Sequence, residues 1–367
     1  MRQPPAEGPI ILGLLYPTAW VGDADAVAAA VAAIEAIDPR IEVVLETYDE
    51  GQALRTARGR PEDWAALRNS TPEVTDSQRA MFQRVHAVIA IDLPFDVGVM
   101  APNLAWVQGL GAGYAQLESA GLAEAGIRLT SAAGVNAIAI AEFVVGRVLE
   151  ERKKFQELEA LQRQHSWLPV YGTELAGATV GLIGYGAIAS AVAKRLAAFD
   201  VTLLATRRSA RPGDTAPYIE DLYPHDRLHE MLARCDTVIA AVPETPETIG
   251  LMDAEAFAAM PAGSFFVNVG RGTLVDEPSL IDALQRHHLR GAALDVASEE
   301  PLPPDNPLWD APNLYLSYHC SSAPAALFIN LHRLWAENIR RWLAAEPLIN
   351  EVDLEGYDDP SLLRARV

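Results

Sequence analysis

Gly177-Ala-Thr-Val-Gly-Leu-Ile-Gly184-Tyr185-Gly186-Ala187-Ile188-Ala189 joins an apolar run to a glycine pair near the middle of the chain. Residues 178–183 form a short apolar run with β-branched side chains, as a buried strand does. Gly184-x-Gly186-x-x-Ala189 then turns the chain into an apolar-periodic helix over 188–199. Strand, glycine turn and helix in that order make a dinucleotide-binding fingerprint, with Ala in the tolerated third place. Gly184 permits the tight turn, and Gly186 lets a pyrophosphate approach the main chain. The helix start at Ala187 and Ile188 offers N–H groups and a positive dipole end. An ordinary βα turn can carry the same pattern, so the surrounding chain has to discriminate.

Downstream, strands are expected over 201–205, 237–242, 264–269, 290–296 and 314–318, six in all with the first. Six is the count of a complete dinucleotide-binding sheet. Upstream, runs at 9–15, 41–47, 87–91, 104–109 and 127–130 alternate with helical segments, one of them at 114–125. That alternation predicts a second parallel, doubly wound sheet. Long amphipathic helices over 136–155 and 325–345 read as crossovers, and the short tail is expected to pack back on the N-terminal sheet. The fold class is therefore α/β with two parallel-sheet domains. Residues 1–133 with 325–367 make a discontinuous flavodoxin-like substrate domain, and residues 134–324 the Rossmann cofactor domain. The polar, Arg-rich stretch 49–83 reads as short helices forming a surface elaboration.

The composition excludes several classes. Among 367 residues, 29 Lys+Arg against 49 Asp+Glu give a formal net charge of −20. Nucleic-acid and anionic-membrane binding need clustered basic surface, which so acidic a chain lacks. No apolar run approaches the ~18 residues of a membrane span. The N-terminus has neither a basic region nor an apolar run of signal-peptide length. Cys235 and Cys320 make neither a disulfide framework nor a metal quartet, so a reduced, cytoplasmic protein is expected. His225 and His229 have metal-like spacing without a companion ligand, and no metal is expected.

Three single residues follow the ends of late strands. Arg271 lies between glycines after 264–269, Glu300 follows the next strand, and His319 the last. Side chains beyond the carboxyl ends of parallel strands converge on one cleft. A guanidinium fork holds a carboxylate and a carbonyl oxygen, an imidazole moves the hydroxyl proton, and a carboxylate fixes the imidazole tautomer. Taken singly, each is an ordinary surface ion-pair partner or a satisfied histidine. Their joint order favours hydride transfer to a 2-oxo acid.

From about residue 87 onward the chain resembles the D-isomer-specific 2-hydroxyacid dehydrogenase family. The resemblance rests on Val107-Gln-Gly-Leu-Gly-Ala-Gly113, Ala133-Gly-Val-Asn136 through Ala141-Glu142-Phe143, Glu174-Leu-Ala-Gly177, and the segments 267–277, 293–303 and 347–353. It implies that Arg271 binds substrate, His319 is the acid/base, and Glu300, rather than its rival Glu299, pairs with His319. It further implies that the main chain of Leu110, Gly111, Ala112 and Gly113 holds the substrate carboxylate. Asp295 would accept from the nicotinamide carboxamide, with Pro243 and Val269 near the same ring. A homodimer through the cofactor domain, with its active site in the interdomain cleft, is the family expectation. The substrate is a small 2-oxo or 2-hydroxy acid such as glyoxylate, pyruvate or hydroxypyruvate.

Cofactor choice is legible at Thr206-Arg207-Arg208. An NAD site carries an acid at this strand end for the ribose 2′-hydroxyl. Here two guanidiniums follow instead, so NADP(H) is favoured and NAD(H) stays possible. Some positions depart from the family pattern. Tyr318 replaces the usual Pro before the histidine, and Ala115 replaces an acid. Asp92-Leu-Pro-Phe95 contains no arginine, which argues against a phosphorylated substrate. Cys320 is expected to pack as a small residue. The alternatives are a phosphite or formate dehydrogenase of the same family, and a nucleotide-sensing binding protein like the corepressors on this fold. Glu300 tells against formate, because that branch of the family has Gln there.

Overall fold

The computed structural model describes residues 3–20, 23–59, 64–211, 213–352 and 354. The chain divides into two compact units, residues 1–135 with 325–367, and residues 136–324. Each is built on a wholly parallel sheet, as expected.

The first unit contains β1 (Ile10–Leu15), β2 (Ile41–Leu45), β3 (Ala87–Ala90), β4 (Trp106–Gly109) and β5 (Arg128–Thr130), in the order β2-β1-β3-β4-β5. This is the flavodoxin-like winding. Alternate residues of β1 serve opposite layers, because a strand has period two. Ile10, Leu12 and Leu14 pack with Leu331, Trp335, Ile339 and Trp342 of the helix Pro324–Leu343. Ile11 and Leu15 face Met81 and Phe82 on the other side. Asn338 is fully buried on that helix, where its side-chain amide donates to Gln108 Oε1 at 3.0 Å and accepts from Ile349 N at 2.8 Å. Beyond it the tail returns to the sheet edge, where Val352 N–H donates to the Leu129 carbonyl at 2.8 Å. Arg128 clasps Glu351 with two bonds of 2.6 and 2.8 Å. These contacts make the unit discontinuous in sequence.

The second unit contains β6 (Thr179–Ile183), β7 (Thr202–Thr206), β8 (Asp221–Tyr223), β9 (Thr237–Ala240), β10 (Ser264–Asn268), β11 (Leu289–Leu294) and β12 (Leu314–Leu316). Their order is β12-β11-β10-β9-β6-β7-β8, the doubly wound dinucleotide-binding order with one strand added. The sequence pattern shows six of the seven. It misses β8, whose three residues on the sheet edge are too few to show a period. Both sheet faces are covered: Val180 and Leu182 pack on one side, Ile183 with Val238 on the other. That is why these strands read as continuous apolar runs.

Two helical expectations change in their bounds. The helix over 136–155 is Ala137–Lys153, ended by Lys154 at φ 57°, and a separate helix Phe155–Arg163 follows. Only Ala115–Glu118 is helical within 114–125. The stretch 49–83 holds the helices Gly51–Arg58, Trp64–Leu67 and Asp76–Phe82. It is more than a surface elaboration, because Arg58 is completely buried. No helix among the described residues is long and apolar enough to cross a membrane.

Candidate active site

At the carboxyl edge of the second sheet, His319 and Glu300 meet. His319 Nδ1 lies 2.7 Å from Glu300 Oε2. An ionised carboxylate can only accept, so the imidazole is the donor in this bond, through Nδ1. The imidazole is held from behind as well. The His319 backbone N–H donates to the Asp295 carbonyl at 2.7 Å, and its φ of 53° turns the chain sharply after β12. Glu300 is fixed through its other oxygen, which accepts from Ala297 N–H at 3.0 Å. The acceptor for His319 is Glu300 and not its neighbour Glu299.

Arg271 is exposed one loop away, with Nη1 donating to the Gly270 carbonyl at 2.8 Å. What holds it beside the Glu300 loop is Gly272. A Cβ there would sit 1.8 Å from the Ala297 carbonyl carbon, so the main chains after β10 and β11 touch. Asp295 is buried, and its carboxylate accepts from Ser317 Oγ at 2.7 Å, Cys320 N–H at 3.0 Å and Ser321 N–H at 3.2 Å. A carboxylate has about four acceptor positions, so these bonds take most of them and make Asp295 the anchor of the loop bearing His319. Ser317, two residues before the histidine, is a part of this anchor that sequence reasoning missed. Cys320 is exposed rather than packed, because its N–H, not its thiol, faces Asp295. Tyr318 is also exposed and lies against Trp309, with ring centroids 6.1 Å apart.

The fingerprint lies at the switch point between β6 and β9. Gly184 has φ 83°, and a Cβ there would meet Val242 Cγ1 at 2.4 Å. Gly186 is extended (φ −100°, ψ −161°), and a Cβ there would meet nothing within 4 Å. The helix Ala187–Leu196 that begins beside it has no side-chain N-cap. An open cradle facing uncapped N–H groups fits a pyrophosphate. Thr206 is buried at the end of β7 and accepts from Gly184 N–H at 3.0 Å. Arg207 reaches Asp214 Oδ2 at 3.2 Å, while its Nε is buried without a partner among the described residues. Arg208 is exposed. Pro243 and Val269 follow β9 and β10 at the same edge, Pro243 accepting from Thr248 Oγ1 at 2.8 Å and Val269 donating to the Ala240 carbonyl at 3.1 Å.

In the first unit, Leu110 N–H is occupied by the Ala90 carbonyl at 3.1 Å. Ala112 and Gly113 are exposed and Gly111 half-buried. On the adjacent strand end, fully buried Asp92 receives Arg55 Nε at 2.8 Å and Nη2 at 2.7 Å. Arg58 pairs with Glu50, donates to Leu93 O at 2.6 Å and Ser119 Oγ at 2.8 Å, and lies 4.1 Å from the Phe95 ring centroid. Burial pushes the Glu50 carboxyl up, with Arg58 and the Tyr48 hydroxyl pulling it back. The loop 92–95 thus has three arginines against it after all. Arg55 and Arg58 arrive from the helix Gly51–Arg58, and Arg68, just beyond the helix Trp64–Leu67, lies 5.0 Å from the Phe95 ring centroid, partnerships that the loop's own sequence cannot reveal.

Comparison with known proteins bears directly on this arrangement. Residues 145–321 match the family model described as D-isomer specific 2-hydroxyacid dehydrogenase, NAD binding domain. The chain is 34% identical to a glyoxylate reductase of Thermofilum pendens over 252 residues, 67% of this chain and 74% of the relative. The chain belongs to the D-isomer-specific 2-hydroxyacid dehydrogenase family. Members are NAD(P)-dependent oxidoreductases acting on the CH–OH group of 2-hydroxy acids. A D-3-phosphoglycerate dehydrogenase of Mycobacterium leprae is 33% identical over 71% of this chain, which spans about half of it (49%). A solved D-isomer specific 2-hydroxyacid dehydrogenase from Xanthobacter autotrophicus Py2, in complex with NADPH and MES, superposes with a TM-score of 0.70. Its identity is 28%, with 94% of this chain and 98% of that chain covered.

Proposed function

We propose that this 2-hydroxyacid dehydrogenase is a cytoplasmic, homodimeric reductase of small 2-oxo acids of the glyoxylate/hydroxypyruvate type, with NADP(H) favoured over NAD(H). The observation that carries the reading is the 2.7 Å Glu300–His319 pair on a loop anchored by Asp295, beside an exposed arginine. Arg271 is the fork for the substrate carboxylate and carbonyl oxygen, and Gly111, Ala112 and Gly113 are proposed to add main-chain donors for the carboxylate. In the reductive direction His319 carries protons on both nitrogens: Nδ1–H is held by Glu300 and Nε2–H protonates the oxygen as it gains charge. Arg271 stabilises that charge until the proton arrives. In the oxidative direction the neutral ring accepts the hydroxyl proton at Nε2. The nicotinamide, when bound, supplies or takes up the hydride at C2.

Support for NADP(H) comes from the end of β7. No acid stands there, Thr206 is engaged with Gly184, and Arg207 and Arg208 follow. Support for an unphosphorylated substrate comes from Asp92 and Glu50, which already neutralise Arg55 and Arg58.

Absorbance of reduced cofactor against glyoxylate, hydroxypyruvate, pyruvate and 3-phosphohydroxypyruvate tests the reading. We expect NADPH consumption with the first three and little with the last; no turnover with any of them would leave a binding protein. His319→Ala is expected to lower kcat by about 10²–10⁴-fold while NADPH still binds. Undiminished turnover would remove the histidine from the mechanism.

A further inference from the structure

The guanidinium groups after β7 are not waiting free. Asp214 lies on the loop between β7 and β8, and its Oδ2 is 3.2 Å from Arg207 Nη2 and 3.0 Å from Arg211 N–H. The two side chains are similarly half-covered, at 37% and 36% exposure. The loop is also tied to the fingerprint, because Tyr185 donates its hydroxyl to the Pro217 carbonyl. Meanwhile Arg207 Nε is buried with no partner among the described residues. A buried guanidinium N–H without an acceptor is unfavourable, so an acceptor arriving there is favoured. Arg208 has an acid of its own nearby: the Glu247 carboxyl is held below its ordinary range, first by the Thr245 hydroxyl and its own backbone N–H, then by the Arg208 and His225 charges.

We propose that Asp214 sets this chain's cofactor selectivity by competing with the 2′-phosphate for Arg207. The fingerprint's usual acid is missing at Thr206, and Asp214 carries its negative charge eight residues further on, against the arginine itself. A 2′-phosphate must share or displace this carboxylate to reach Arg207, whereas a 2′-hydroxyl meets no such contest. The ion pair holds Arg207 in place in the free protein and weakens the preference for the phosphorylated cofactor. Selectivity is therefore a balance between the arginine and the acid that guards it.

This inference rests on the NADP(H) reading above, and the test separates the two. NADPH and NADH are titrated into the whole protein, with nicotinamide fluorescence as the readout of Kd, for wild type, Asp214→Asn and Arg207→Ala. Arg207→Ala should weaken NADPH by about tenfold and leave NADH within about twofold. Unchanged NADPH binding in that variant would overturn the NADP(H) reading itself. Asp214→Asn should tighten NADPH by roughly three- to tenfold, as expected for releasing a half-exposed ion pair and its repulsion, with NADH again within about twofold. If Arg207→Ala behaves as stated but Asp214→Asn leaves NADPH unchanged or weaker, the competition is refuted alone. An equal gain for NADH would mark a general charge effect on the pyrophosphate and refute it too. Thermal unfolding of the cofactor-free variants checks that each is folded.

Discussion

At the scale of single residues, the two fingerprint glycines answer to different demands. Gly184 occupies a left-handed conformation with Val242 Cγ1 2.4 Å from where a Cβ would stand. Gly184→Ala is therefore expected to destabilise the fold by about 1–3 kcal/mol as well as to disturb binding. Gly186 is extended, and the space its Cβ would enter is empty. Gly186→Val should leave stability within about 0.5 kcal/mol and weaken the cofactor more than about tenfold. Urea unfolding and fluorescence titration of both variants separate these cases. A Gly186→Val protein that binds cofactor normally would show that the pyrophosphate does not lie over this residue. Both glycines are legible in the sequence, but the difference between them is not. It depends on Val242, which is remote in the chain and adjacent only across the sheet.

At the scale of elements, the returning tail shows how a short segment is held to a sheet edge. The Arg128 guanidinium is the main cause that holds the Glu351 carboxyl below its ordinary range; burial opposes it. A depressed carboxyl pKa contributes stability above the unfolded-state value, and that contribution is lost as pH falls through the folded one. Glu351→Gln should lower stability by about 1 kcal/mol near neutral pH, and the difference should vanish in acid, where both side chains are neutral. Denaturant unfolding at several pH values checks this; a gap that persists in acid would mean that the carboxylate charge is not what anchors the tail. The sequence shows a tail too short for a domain and a long amphipathic helix before it. It does not show Asn338, whose polar side chain on an apolar stripe reads as a blemish until Gln108 and Ile349 are found around it.

At the scale of the whole molecule, the second unit leaves a group of large apolar side chains uncovered. Trp167 is 100% exposed, Tyr171 85% and Leu168 62%, following a helix (Phe155–Arg163) that buries no residue. Patches of this kind mark association surfaces, and a second copy of the chain is the proposed occupant. Sedimentation should show a dimer for the wild type and a shift to monomer for Trp167→Glu with Leu168→Glu; a monomeric wild type would end the proposal. The strand–glycine–helix order, the two parallel sheets and the succession of Arg271, Glu300 and His319 at strand ends are legible along the chain, because periodicity and turn chemistry act over a few residues. Which polar groups are already engaged emerges only once the chain is folded: Thr206 with Gly184, Asp295 with the His319 loop, Arg55 and Arg58 with Asp92 and Glu50, and Arg207 with Asp214. A buried or half-buried charge takes its state from whatever partner the fold brings within about 3 Å, and those partners come from distant parts of the chain that carry no shared local pattern.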